Sequence, residues 1–375
     1  MNQFPTTVKF TLFLIQVLKH KCSIYEISIK RLHMQSHRLA GKGLNGLFNS
    51  SNTCYVNTSI QCIGHCTSFL EFVLDGKYEK HIGDLINELR EVLHALWVAN
   101  NGIIPNRFLK YLQQHMPCID IRQQNDIQEF ITLFFDKMNV SLAVKLNVDS
   151  VMSMNSYDDS PLGKLHQKID RSWYSTVGSE YSPIVEYFYG QSIVQILCGH
   201  CGKIHHNYEP FSLFMLPIIQ QEHAGRGASM ENCLHHHVSE EYLNDESDAS
   251  STEWNCDACK ERAKSLQTIK FWRLPKVLTV CLKRFTPDLR KNNILVDIPQ
   301  SIDLSEYTVG PTNKKYVLRS IACHTGVYGG GHYYAICKNP NGEWYKYDDT
   351  EVTKLEGSFK SPNTAYMIFY EAEIE

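Results

Sequence analysis

The spacing of apolar residues changes between the two halves of this chain, and that change limits the fold more than any other feature. Val56, Ile60 and Ile63 stand at helical intervals over residues 53–63, a segment that Asn52 or Thr53 can cap. Leu85, Ile86, Leu89, Leu93 and Leu96 repeat the pattern over residues 82–96, as do Ile127, Phe130, Ile131, Phe134 and Phe135 over residues 126–138. The second half reads differently. Residues 278–282, 316–321, 332–337, 344–347 and 366–370 are rich in β-branched and aromatic side chains, which favour strands. Helices first and an antiparallel sheet afterwards predict an α+β architecture.

Composition narrows the class. The chain has 375 residues, 43% hydrophobic and 21% charged, enough to bury one large core or two modest ones. A net charge of −3 lacks the basic excess of a nucleic-acid binder, so no nucleic-acid partner is expected. No run approaches the roughly 20 apolar residues of a membrane span. An apolar run over residues 10–18 follows Lys9, but Thr11 and Gln16 interrupt it. Lys19-His20-Lys21 then stands where a signal peptide would carry small residues. Residues 1–42 therefore read as an N-terminal extension, and Gly41-Lys42-Gly43 as the break before a folded domain over residues 43–375. Residues 239–253, with six carboxylates, four serines and no Lys or Arg, read as a solvated acidic loop, and residues 147–160 as a weaker one.

The 13 cysteines are an odd number, and four of them form two Cys-x-x-Cys pairs. In a chain of this length the pattern favours reduced thiols and metal ligation over a disulfide framework, hence a cytoplasmic or nuclear home. The pairs are Cys198/Cys201 and Cys256/Cys259, with 54 residues between the second and third cysteines. Four thiolates presented from two tight turns complete a closed tetrahedral site, so one structural zinc per chain is expected. An intervening strand over residues 211–217 and the acidic loop account for the wide separation. His200, His205, His206 and the run His235 to His237 are further ligand candidates, most of them expected at the surface.

Cys54 stands at the first turn of the first predicted helix, where free N–H groups and the helix dipole favour a thiolate. A nucleophile also needs a base and a group to orient that base. Both stand near the other end of the chain. His332 follows Gly329-Gly330-Gly331 at the start of a strand, and Asp348 and Asp349 close the next strand. Asn339-Pro340-Asn341-Gly342 predicts the turn of a hairpin that brings His332 and Asp348 side by side. The carboxylate would fix the imidazole tautomer, and the imidazole would take the thiol proton, a papain-like arrangement.

These segments also resemble a known family. Gly46-Leu47-Phe48-Asn49, Asn52-Thr53-Cys54-Tyr55-Val56-Asn57 and Gln61 are similar to the cysteine box of the ubiquitin-specific proteases. Tyr316, His324, Gly326, Gly331, His332, Tyr333 and Ala335 resemble the histidine box. Gln123 to Phe130 and Leu274-Pro275 with Leu282-Lys283-Arg284-Phe285 resemble two further blocks, so the likeness spans about residues 43–370.

The resemblance implies a helical thumb carrying Cys54, an antiparallel-sheet palm carrying His332, and zinc-bearing fingers over roughly residues 185–285. It implies a hydrolase of the ubiquitin conjugation pathway, a thiol protease that cuts the isopeptide or peptide bond after the terminal glycine of ubiquitin and needs no organic cofactor. Ubiquitin and ubiquitinated proteins would be its partners. Asn49 would then donate to the oxyanion, Asp349 would assist the oxyanion or the histidine, and Asp126 and Glu129 would meet the arginine-containing tail of ubiquitin. Ser50-Ser51 departs from the family's Leu-Gly, and a glycine there would permit a positive φ that serine tolerates poorly. Two other functions share these residues: a catalytically silent ubiquitin-binding module, and a protease for a ubiquitin-like modifier.

Overall fold

A computed structural model describes residues 38–76, 78, 85–220, 227–244, 252–286, 288–312 and 314–373, and the apolar run at residues 10–18 lies outside them. The three expected helices form as Cys54–Gly64, Leu85–Trp97 and Ile127–Leu142. Cys54–Gly64 is buried along its whole length, between neighbouring helices and the strands Lys315–Val327 and Gly330–Lys338. A helix buried all round must satisfy its polar side chains internally. Ser59 Oγ donates to the Tyr55 carbonyl (2.7 Å), Gln61 Nε2 to the Asn45 carbonyl (2.9 Å), and Ser320 Oγ returns a bond to the Cys62 carbonyl (2.9 Å).

The large sheet has eight strands. Glu351–Lys354, Trp344–Asp348, Gly330–Lys338, Lys315–Val327, Ala365–Ala372, Val277–Leu282 and Phe214–Leu216 lie in that order, and Ser301–Asp303 pairs with Lys315–Val327. All neighbours are antiparallel except Phe214–Leu216, which runs parallel to Val277–Leu282. Alternation assigns the two faces of the sheet. Val277, Cys281, Ala335 and Met367 pack with Val56, Ile60, Phe130 and Phe134 of the helices. Leu278, Val280, Leu282 and Ile368 pack with Met230, Cys233 and Leu234 of the helix Met230–Val238 on the opposite side. Both faces being covered, Val277–Leu282 reads as an unbroken apolar run rather than an alternating one.

A smaller antiparallel sheet, in the order Ile204–Phe211, Gly190–Leu197, Ser265–Arg273 and Glu241–Leu243, falls within the region expected to form fingers. Several expectations change. The strand expected over residues 211–217 divides, with Phe211 ending one strand and Phe214–Leu216 joining the large sheet. Within the expected acidic loop, Glu241–Leu243 forms an edge strand because Leu243 is buried against Val194, Ile196 and Trp254; residues 245–251 lie outside the described residues. Residues 147–160 contain a helix, Val148–Met154, since Asn147 caps the Ser150 N–H and Val151 and Met152 are buried. Leu39 packs onto the core and the Gly41 N–H donates to Asn339 Oδ1 (3.0 Å), so the fold begins ahead of residue 43.

Candidate active site

Cys54 opens its helix and is 5% exposed. Burial pushes its thiol above the ordinary range, and the Asp349 carboxylate adds to that rise. The N–H groups of Tyr333, Tyr55 and Cys54 itself act in the opposite direction. The helix start therefore supplies the expected donors, but burial outweighs them, and the thiol needs a base to lose its proton. The Tyr333 N–H that faces Cys54 belongs to the residue after His332.

His332 lies on Gly330–Lys338 and Asp348 ends Trp344–Asp348. The expected hairpin joins these strands, with Ala335 opposite Tyr347 and Lys338 opposite Trp344. Its turn closes through the Gly342 N–H to the Asn339 carbonyl (2.8 Å), with Gly342 at φ +90°. Continuing this register places Asp348 opposite Tyr334, which leaves His332 diagonally across on the same face. His332 Nε2 and Asp348 Oδ1 are 2.6 Å apart. A carboxylate only accepts, so Nε2 carries the hydrogen and Nδ1 keeps the free lone pair. Lys346 Nζ binds the second oxygen, Asp348 Oδ2, at 2.6 Å. Burial opposes ionisation of Asp348, but the Lys346 and His332 hydrogen bonds outweigh it and hold the carboxyl below its usual range.

Asp349 occupies a two-residue turn at φ +50°, a conformation that Asp tolerates better than most residues. Its carbonyl accepts from the Leu47 N–H (2.8 Å), Oδ1 from Asn57 Nδ2 (2.8 Å) and Oδ2 from Asn49 Nδ2 (3.0 Å). Asp349 thus ties the loop before Cys54 to the sheet. Gly46 permits the approach, because a methyl group there would meet the backbone of Asp349 and Thr350. Ligand-capable atoms of His332, Asp348 and Asp349 lie within 4.8 Å of one another. Each of the four carboxylate oxygens nevertheless has its own donor, in His332, Lys346, Asn57 and Asn49.

Asn49 has two tasks. Besides the bond to Asp349, its Oδ1 accepts from the Thr53 N–H (3.0 Å), Thr53 Oγ1 (3.1 Å) and the Ser51 N–H (3.3 Å). Neither expected cap closes the helix with its side chain: Thr53 is diverted to Asn49, and Asn52 Nδ2 reaches the Arg122 carbonyl (2.7 Å). Ser50 and Ser51 are absent from the positive-φ positions, so the loop has a serine-compatible shape and stores no left-handed strain at the departure from the family pattern.

Asp126 is the N-cap of Ile127–Leu142, accepting from the Gln128 N–H (2.7 Å) and from the Tyr366 hydroxyl (2.9 Å). Burial raises its pKa. Glu129, one turn on, is exposed. His324 is nearly buried beside the Tyr333 ring, and Lys291 Nζ donates to its Nδ1 (2.9 Å). Burial, Lys291 and His332 lower its pKa to about 4, so it stays neutral at physiological pH. A methyl group on Gly331 would run into this ring, which accounts for the last glycine before His332.

The four cysteines of the paired motifs do meet. Cys198 Sγ lies 3.9 Å from Cys259 Sγ, and Cys201 Sγ lies 3.8 Å from Cys256 Sγ. Disulfide sulfurs sit at about 2.05 Å, whereas tetrahedral thiolates about 2.3 Å from a zinc ion stand roughly 3.8 Å apart. Both turns share one conformation: Gly202 (φ +68°) and Lys260 (φ +63°) each follow the second cysteine and return an N–H to the first cysteine's carbonyl. The cluster can hold a metal ion. His205 Nε2 lies 3.2 Å from Cys256 Sγ, while His200 and His206 are exposed. His235 to His237 lie on Met230–Val238, outside the cluster.

Sequence reading missed two residues at the site. Lys346 stands two positions before Asp348 on one strand, so the two-residue alternation already places both on one face. Gln124, in the loop before Ile127–Leu142, pairs with Gly331 through both amide atoms, accepting from its N–H (2.9 Å) and donating to its carbonyl (3.0 Å). No sequence signal pointed to that pairing.

Residues 45–370 match the family model for ubiquitin carboxyl-terminal hydrolase. Among curated proteins, ubiquitin carboxyl-terminal hydrolase 2 of Homo sapiens is 28% identical over 352 residues, covering 88% of this chain and 56% of the relative. Ubiquitin carboxyl-terminal hydrolase 21 of Mus musculus is 26% identical over 358 residues, covering 89% and 62%. The chain spans about half the length of the first of these relatives. Among solved structures, the Ubp8-containing SAGA DUB module bound to monoubiquitin gives a TM-score of 0.66 at 21% identity, covering 88% of this chain and 70% of that one. The fold is therefore that of the Ubp8 enzyme chain. Since the matched span includes both sheets, the Cys54 helix and the His332–Asp348 hairpin, this chain belongs to the ubiquitin carboxyl-terminal hydrolase family.

Proposed function

We propose that this protein is a thiol-dependent deubiquitinating protease that hydrolyses the isopeptide or peptide bond after the C-terminal glycine of ubiquitin. The observation that carries the reading is the His332–Asp348 pair, bonded at 2.6 Å, next in sequence to the Tyr333 N–H that faces the buried Cys54 thiol. Cys54 Sγ gives its proton to His332 Nδ1 and attacks the glycine carbonyl carbon. The oxyanion takes the Asn49 N–H that is not donated to Asp349. On collapse the imidazolium protonates the leaving amine, which leaves a thioester between ubiquitin and Cys54. Water, deprotonated by His332, then releases the glycine carboxylate.

Asp349 holds Asn49 rather than touching the reacting atoms. Glu129 is the carboxylate free to meet an arginine of the ubiquitin tail, and Asp126 fixes the start of the helix that carries it. The cysteine cluster holds one structural zinc, consistent with its sulfur spacing. The catalytic domain we assign begins within residues 38–43 and includes fingers at roughly residues 185–285. The free thiols among the described residues suit a cytoplasmic or nuclear location.

Purified protein should release a fluorophore from the C-terminus of ubiquitin and cleave di-ubiquitin. No turnover of either substrate would overturn the reading. Turnover confined to a ubiquitin-like fusion would redirect it to another modifier.

The loop before Cys54 gives a sharper expectation. Asn49→Ala should lower kcat about 100-fold with little change in KM, because the lost donor acts on charge present only in the transition state. Ser51→Gly should retain activity and lose less than about 1 kcal/mol of stability, since no strain is there to relieve and glycine adds freedom to the unfolded chain. Steady-state kinetics and thermal denaturation check both. Ser51→Gly losing activity as severely as Asn49→Ala would mean that the serine itself makes a catalytic hydrogen bond.

A further inference from the structure

We propose that Lys346 is a positioning residue of the Cys54–His332–Asp348 site, holding the Asp348 carboxylate in line with the imidazole and lowering the pH at which the Cys54–His332 pair becomes active. The inference rests on the catalytic reading above. Lys346 and Asp348 alternate onto the face that carries His332 and Tyr334. Lys346 Nζ binds Asp348 Oδ2 at 2.6 Å, while Asp348 Oδ1 lies 2.6 Å from His332 Nε2. One carboxylate is thus gripped at both oxygens, and turning it about its last torsion would break both bonds. The ammonium also lies 4.4 Å from the centre of the Tyr334 ring, an attraction that narrows its own choice of positions. Lys346 is 37% exposed at its side chain and Asp348 28%, so substrate can cover a pair that water now reaches only in part.

Asp348 faces His332 from the next strand, and Asp349 faces both His332 and Cys54 from the following turn. His324 faces His332 from the preceding strand and is neutral above about pH 4. Cys54 meets the N–H of Tyr55 from its own helix and that of Tyr333 from the His332 strand. The Asp349 carboxylate therefore opposes thiolate formation, and Lys346 is the cation bonded to the other carboxylate, Asp348. With Lys346 removed, Asp348 would lose the cation that offsets its charge, and the site would be one charge more negative, which disfavours proton loss from the Cys54–His332 pair. Whether proton transfer comes before attack or accompanies it, that change moves the acidic limb of activity to higher pH.

The test compares Lys346→Met with Lys346→Arg. One readout is the pH profile of kcat/KM on a ubiquitin–fluorophore substrate. The other is the pH profile of Cys54 alkylation by iodoacetamide, followed by peptide mass, which needs no ubiquitin turnover. Lys346→Met should lower kcat about tenfold with KM nearly unchanged and move the acidic limb of both profiles up by about half a pH unit. Lys346→Arg keeps the charge and should retain the limb. Unmoved limbs in Lys346→Met overturn the inference, whether or not kcat falls, because a purely structural lysine would leave them in place. If the protein turned over no ubiquitin, the catalytic reading would fall, and the alkylation profile would still decide the role of Lys346.

Discussion

Cys54→Ala will abolish turnover of ubiquitin conjugates, by a factor of at least about 10,000, while leaving ubiquitin bound. Alanine removes the only atom that attacks the glycine carbonyl. Cys54 is 5% exposed, so its loss barely alters the surface that ubiquitin would meet. His332→Ala should fall nearly as far, because burial raises the Cys54 thiol above its ordinary range and His332 is the base that would take its proton. His324 is no substitute: its Nδ1 is committed to Lys291, and its pKa of about 4 makes it a poor base near neutrality. The double variant should be no worse than the weaker single variant, since nucleophile and base act as one unit. The limb of the kcat/KM profile set by the Cys–His pair should vanish in His332→Ala and persist in His324→Ala. Binding is read separately by calorimetry with ubiquitin. Cleavage by Cys54→Ala above the uncatalysed rate would move the nucleophile elsewhere.

Cys256→Ser should have the second largest effect, on folding rather than chemistry. Replacing one thiolate of the cluster removes a strong ligand and leaves Cys198 and Cys259, 3.9 Å apart, with Cys201 as an incomplete set of three sulfurs. Structural zinc contributes about 10 kcal/mol or more in domains that fold only with the metal. Here the small sheet keeps a core of its own in Val194, Ile196 and Leu243 with Trp254 and Ile269, so the loss should be smaller. A loss of about 3 kcal/mol would lower the first melting transition by roughly 5 °C or more. Metal analysis should give one zinc per wild-type chain and far less in the variant. Cleavage of ubiquitin–fluorophore at low temperature should survive in part, because the cluster lies in turns of the small sheet, whereas Cys54 opens a helix and His332 and Asp348 lie on the large sheet. Wild-type protein holding well under one zinc per chain would end the claim.

The helices over residues 53–63, 82–96 and 126–138 were legible because each keeps one apolar period, and the later strands because they are rich in β-branched and aromatic side chains. Helical spacing places Val56, Ile60 and Ile63 on one stripe, and the turn Asn339-Pro340-Asn341-Gly342 sets the hairpin that joins His332 to Asp348. The cysteine cluster was legible because the pairing of like motifs is itself information. What the sequence hid falls into two kinds. Some side chains are shared between tasks: Asn49 receives Thr53 and Ser51 as well as reaching Asp349, and Asp126 caps a helix while bonding Tyr366. Neither sharing can be read from residue type. Other features depend on one buried residue outweighing a polar neighbourhood. Leu243 makes a strand of an acidic stretch, and Val151 with Met152 makes a helix of a stretch read as loop. Ser50-Ser51 belongs with these, because a loop can change shape to suit its residues.

Reaction with ubiquitin carrying a C-terminal cysteine-reactive group, followed by intact mass and peptide mapping, tests Cys54 as the nucleophile most directly. Wild-type protein should gain the mass of one ubiquitin, attached at Cys54. Cys54→Ala should gain none, and Cys118→Ala, which removes an exposed thiol, should react as wild type does. No adduct on wild-type protein, or an adduct on any cysteine other than Cys54, would contradict the account.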